Sequence, residues 1–116
     1  MMKIPNNAKK INLENTTVDF FEFEKENIVH VYFDSSICAV PEPMINAMAG
    51  LKYINHTNKK LIMKNHQIPT GLFPKIDNSF NFEIQRLEDN NVLVIFSYIE
   101  DSLGEVDFNN NSCSGI

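Results

Sequence analysis

The chain has 116 residues, 43% of them hydrophobic and 22% charged, a length and balance that suit one domain with a single core. Its net charge is −5, and Arg86 is the lone arginine among ten basic residues; both argue against a nucleic-acid partner and against guanidinium clamps for phosphate. No run reaches the roughly 18 apolar residues that a membrane span needs, and "MMKIPNNAKKINLENTT" lacks the apolar stretch of a signal peptide, so a soluble cytoplasmic chain is expected.

Residues 1–16 carry Pro5 and mostly polar side chains and are expected to form a flexible leader. Val18 to Phe23 and Ile28 to Phe33 are β-rich runs separated by the charged "EKEN", the pattern of a hairpin. The first would be an added edge strand, guarded against aggregation by Asp19, Glu22 and Glu24. In the second, Ile28, His30 and Tyr32 alternate with Val29, Val31 and Phe33, so both faces are substantially apolar and an open sheet face would need a cover.

"PEPMINAMAGLKYI" places apolar residues at 44, 47, 48, 51 and 54, with Asn46 and Lys52 between them, which is the spacing of one face of an amphipathic helix. Pro41 and Pro43 suit a first turn, whose amides have no intrahelical acceptor, and Glu42 complements the positive end of the helix dipole. "NHTN" closes this helix, and the apolar run Leu61 to Lys64 reads as a covered strand. Pro69, Thr70 and Gly71 mark a turn, after which Leu72, Phe73 and Ile76 fit the buried side of a short second helix. "FNFEIQ" alternates strictly, with Phe80, Phe82 and Ile84 on one face of a half-buried strand. "EDNN" supplies a hairpin turn, and "VLVIFSYI" is apolar on both faces, as a central strand would be. Residues 101–116 show no period and are expected to be a loose tail, leaving 17–100 as the single domain. The order strand, helix, strand, helix, strand, strand, behind an optional leading strand, gives an α/β two-layer sandwich with its helices on one side.

"VPEPMINAMAGL" followed by "KKLIMKNHQIPTGLFPKIDNSFNFEIQRLEDNNVLVIF" resembles the TusA/SirA-like superfamily of small sulfur-handling proteins. It looks closest to an uncharacterised branch, family 2249 of the domains of unknown function, which shares a Pro-Glu-Pro helix start and a His-x-x-Pro after the second strand. The resemblance covers roughly residues 28–99 and implies βαβαββ order with a mixed four-stranded sheet whose last strand lies inside. In the sulfur carriers a cysteine directly precedes Pro-x-Pro and holds a persulfide; here Val40 has that place, and Cys38 lies two residues earlier.

If the two core strands run parallel, the loops after them open on one edge, where α/β sheets favour ligands. Asp34, Ser35, Ser36, Cys38, Pro41, Glu42 and Pro43 would share that rim with Asn65, His66 and Thr70, whereas His56 should lie at the far edge and His30 within a strand. The first reading of the rim is a non-catalytic binding or interaction module whose partner is a protein or a small ligand, with a homodimer through the open sheet face as a further expectation. The second is thiol chemistry, a sulfur relay through Cys38, because a helix N-terminus lowers a thiol's pKa and His66 could assist. The third is a metal held by Cys38, His66 and Asp34 or Glu42, although each ligand would arrive singly.

Plainer accounts stand beside these. Free cysteine packs like a small hydrophobe, Asp34 and its serines can simply end a strand, Glu42 can serve the dipole alone, and His66 can be a packing residue ahead of Pro69. Cys38 and Cys113 form no C-x-x-C or even-numbered framework, so reduced thiols are expected. There is no G-x-S-x-G, phosphate loop, dinucleotide fingerprint or H-E-x-x-H, so no enzyme class and no cofactor is implied.

Overall fold

The computed structural model describes residues 5, 7–54 and 58–99; the expected tail over 101–116, Cys113 and His56 lie outside the described residues. The chain is a mixed α+β domain with strands β1 (Lys9–Ile11), β2 (Phe20–Lys25) and β3 (Ile28–Asp34), then helix α1 (Glu42–Tyr53) and strand β4 (Lys59–Asn65). The short helix α2 (Phe73–Ile76) and strands β5 (Phe80–Arg86) and β6 (Val92–Tyr98) complete it. One sheet holds all six strands in the order β1-β2-β3-β4-β6-β5, with β3 and β4 parallel and every other neighbouring pair antiparallel. The core order and the inner position of the last strand are therefore as expected, but the sheet has six strands rather than four or five.

The additional strand lies in the segment expected to be a flexible leader. Lys9, Lys10 and Ile11 pair with Glu22, Phe21 and Phe20, and Ile11 and Leu13 pack against the core, so the folded unit begins well before residue 17. Polar composition obscured this because a three-residue edge strand needs only one inward apolar side chain.

Glu26 and Asn27 connect β2 to β3 with φ values of 55° and 65°. Two consecutive residues in the left-handed region make the two-residue turn whose twist matches a hairpin, and asparagine tolerates that region better than most side chains. The parallel step from β3 to β4 requires a crossover, which α1 supplies. Its Met44, Ala47, Met48 and Leu51, together with Ile54, are buried against Phe20, Val31, Phe33, Leu61 and Met63, all on one face of the sheet.

Asn46 was expected outside this apolar stripe, yet it is fully buried. Its amide donates to Thr17 Oγ1 and to the Glu42 carbonyl, each at 2.9 Å, and its carbonyl accepts the Thr17 backbone N–H at 2.8 Å. Two of these bonds fasten the segment ahead of β2 onto the helix, and the third ties the side chain back to the helix's own first turn. At the other end of α1, the Tyr53 hydroxyl donates to the Glu22 carboxylate, and that bond, then burial and the carboxylate charge, push the phenol up to about 12.

On the opposite face no helix lies among the described residues. Phe23, Ile62 and Leu93 form a smaller cluster there, shielded by Ala8, Tyr32, Leu87 and Ile95. His30 stacks on Phe23 with ring centroids 5.0 Å apart, and burial lowers its pKa.

The strand β5 departs from its expected half-burial. Phe80 is buried, but Phe82 and Ile84 are 38% and 37% exposed. The strand lies at the sheet edge and α2, with four residues, is too short to cover it; Phe82 has Phe73 stacked on it at 3.9 Å between centroids, yet remains partly open.

At Gly50 the helix α1 lies tight against side chains of the sheet. A Cβ there would stand 2.7 and 2.9 Å from the two terminal methyls of Leu61 and 3.1 Å from the Phe20 ring. Because both Leu61 methyls are in the way and the residue is fully buried, no simple rotation clears the space. Gly50→Val is expected to destabilise the domain by about 1–3 kcal/mol through overpacking, read as a lower urea midpoint with an unchanged denaturant slope.

Candidate functional site

Parallel pairing of β3 and β4, with Asp34 opposite Lys64, brings the loops that follow them to one edge of the sheet. Ser35 joins these loops. Its backbone N–H donates to the Lys64 carbonyl at 2.8 Å, and its hydroxyl is shared between that carbonyl at 3.1 Å and Asn65 Oδ1 at 3.0 Å. Asn65 then donates through Nδ2 to the Gln67 carbonyl at 2.9 Å. Both side chains are buried, as is the bond between them, so these two residues depend on one another.

The remaining expected rim residues separate into two groups. His66, Pro41 and Pro43 line one cleft with Val40, Met44 and Leu72, so the loop after β4 does face the Pro-Glu-Pro start of α1. The cleft is largely apolar and holds only about 40 Å³. That is room for a water molecule or part of a side chain, far below the roughly 300–1,000 Å³ typical of small-molecule sites.

Asp34, Cys38, Glu42 and Thr70 are not part of its lining. Asp34 Oδ1 accepts the Ser36 N–H at 2.8 Å and so ends β3 with a local turn. Glu42 occupies the first turn of α1, where its backbone N–H donates to the Ala39 carbonyl at 2.9 Å. Thr70 is exposed and its N–H donates to the Ile68 carbonyl within the loop.

Cys38 is partly buried, and its backbone N–H donates to the Ser35 carbonyl at 3.0 Å. Burial, followed by the negative charges of Glu42 and Asp34, pushes its thiol up, opposite to the activation expected of a cysteine beside a helix N-terminus. The carboxylates that would have supplied extra metal ligands instead oppose thiolate formation. Among the described residues, no group of three or more His, Cys, Asp and Glu side chains converges as metal ligands would.

The rim's most exposed apolar side chains lie in the connection itself: Ile37 is 95% exposed and Val40 58%. Ile37 was not singled out by sequence because it belongs to no helical or strand period. Its position between "SS" and Cys38, in a loop that must reverse toward α1, was the available signal. No family model matches this chain, and no curated protein or solved structure is significantly similar to it.

Two outcomes test this geometry. Ser35→Ala removes the hydroxyl that satisfies Asn65 Oδ1, and equilibrium unfolding should show a loss of about 1–3 kcal/mol, the penalty for a buried polar atom left without a partner. In a Cys113→Ser background, iodoacetamide should label native Cys38 only at higher pH than it labels the same thiol in the urea-unfolded chain; labelling at lower pH would reveal an activated thiol.

Proposed function

We propose that this chain is a TusA/SirA-like two-layer sandwich that works in the cytoplasm as a non-catalytic protein-interaction module, docking partners at the rim ahead of α1. The Pro-Glu-Pro helix start, the parallel β3–β4 pair and the inner position of β6 support the family reading. The absence of any helix among the described residues that is long and apolar enough to cross a membrane is compatible with the cytoplasmic one.

The observation that carries the function is the pair Ile37 and Val40, both exposed in the connection that runs from the buried Ser35–Asn65 bond to an apolar cleft lined by Val40. Exposing a large aliphatic side chain almost completely forgoes about 1.5–3 kcal/mol of burial, and a protein surface can recover it. The small cleft favours an inserted side chain over a metabolite. Asp34 and Glu42 flank the connection, so the complementary partner presents an apolar anchor beside lysine or arginine.

The sulfur-relay alternative draws no support from the thiol, whose pKa burial and the charges of Glu42 and Asp34 push up. A homodimer through the open sheet face has less to gain. Among the described residues, the exposed large hydrophobics are Ile37, Val40, Phe82 and Ile84, none of them on that face.

An immobilised-protein capture comparing wild type with Ile37→Asp tests the proposal. Partners retained by the wild type should be lost with the variant while its thermal unfolding stays unchanged; equal retention would remove the rim from the account. Incubation with a cysteine desulfurase and cysteine, followed by intact mass, decides the alternative, since a persulfide adduct missing only in Cys38→Ala would replace the docking reading with sulfur transfer.

A further inference from the structure

The two edges of the sheet are treated differently. The edge formed by β1 is three residues long and carries Lys9 and Lys10, the short and charged form that discourages strand addition. The edge formed by β5 is seven residues long, pairs with β6 without a bulge, and contains neither lysine nor proline. Among the described residues no strand covers its outer side.

The hydrogen-bond phase identifies the groups on that outer side. Ile99 N–H donates to the Ser79 carbonyl and Leu87 N–H to the Asn91 carbonyl, each at 2.8 Å, so the odd-numbered residues of this strand turn their backbone groups toward β6. In an antiparallel ladder the alternate residues then face outward. Phe82, Ile84 and Arg86 therefore present N–H and C=O groups at the edge, and the first two also carry exposed apolar side chains.

We propose that β5 pairs antiparallel with β5 of a second copy of this chain about a two-fold axis at Ile84, joining two sheets into one. A two-fold perpendicular to the sheet sets a residue opposite itself, and the charges choose which one. An axis at Glu83 would oppose two carboxylates, which is destabilising. An axis at Phe82 leaves Glu83 facing Asn81 of the partner copy and leaves Arg86 beyond the apolar pairs. The axis at Ile84 sets Glu83 beside the partner's Gln85 and Arg86 over the partner's Phe82, so each polar group meets a complementary one and the guanidinium meets a ring face.

Gln85 Nε2 already donates to Glu83 Oε2 at 2.8 Å within one strand, and the same donor–acceptor pairing recurs across the axis. About six backbone hydrogen bonds would form, two for each outward residue pair. The two Ile84 side chains would cover one another, and each Phe82 ring would lie diagonally beside the partner copy's Ile84, on the side that α2 leaves bare. The pairing is isologous and closes at two copies, leaving the lysine-bearing β1 strands as the free edges among the described residues.

Size-exclusion chromatography with light scattering tests this over a concentration series. The wild type should rise from its 13.3 kDa monomer mass to about twice that value. Ile84→Lys, which opposes two charges on the axis at an exposed position, should remain monomeric with an unchanged circular dichroism spectrum. Ile37→Asp, altered only at the rim, should still dimerise, which separates failure of this proposal from failure of the docking function. Amide hydrogen exchange gives an independent reading: the Phe82, Ile84 and Arg86 amides should be protected at high concentration and lose that protection on dilution. A wild type that stays monomeric with those amides unprotected, or an Ile84→Lys protein that still dimerises, would overturn the proposal.

Discussion

Parallel pairing of β3 with β4 obliges the intervening chain to travel the length of the sheet and return, and a helix over one face is the compact way to do so. From that single pairing follow the covered face, the single side on which α1 buries Met44, Ala47, Met48 and Leu51, and the common edge at which both strands end. The rim is thus a product of topology before it is a product of side-chain chemistry. Ser35 and Asn65 fix its shape by satisfying each other where water cannot reach, so the neighbouring connection can project Ile37 and Val40 without collapsing onto the core.

The same rim shows why residue types that suggest reactivity need their surroundings. A cysteine near a helix start invites a thiolate, but the dipole's effect is confined to the first turn and two carboxylates lie close to this thiol. His66 reaches the cleft of the Pro-Glu-Pro turn, where its neighbours are prolines, aliphatic side chains and amides rather than further ligands. What remains is a small, largely apolar cleft, with Ile37 and Val40 exposed in the connection ahead of α1.

The strongly periodic segments were legible in the sequence. The five apolar positions of α1, from Met44 to Ile54, became its buried stripe, and the uninterrupted "VLVIF" became an inner strand because burial on both faces leaves no place for a polar alternation. Three features were not legible for identifiable reasons. Lys9 to Ile11 is too short to have a period, Asn46 carries a polar side chain whose partner lies 29 residues away, and the exposure of Phe82 depends on how little α2 covers. At the candidate site, the parallel strands revealed which loops meet, but only the three-dimensional turn shows that Cys38 and His66 contribute to different parts of the rim.

Asn46 has a consequence for how the amino-terminal segment opens. Thr17 is exposed and, once released, can replace its bonds with water; Asn46, buried with the segment in place, loses two of its three bonds and can do so only where the departing segment uncovers it. The unfavourable term on detachment therefore falls on the helix rather than on the detached segment. The folded body acts as a latch that pulls the strap closed, and the order of β1 is an extension of the order of α1.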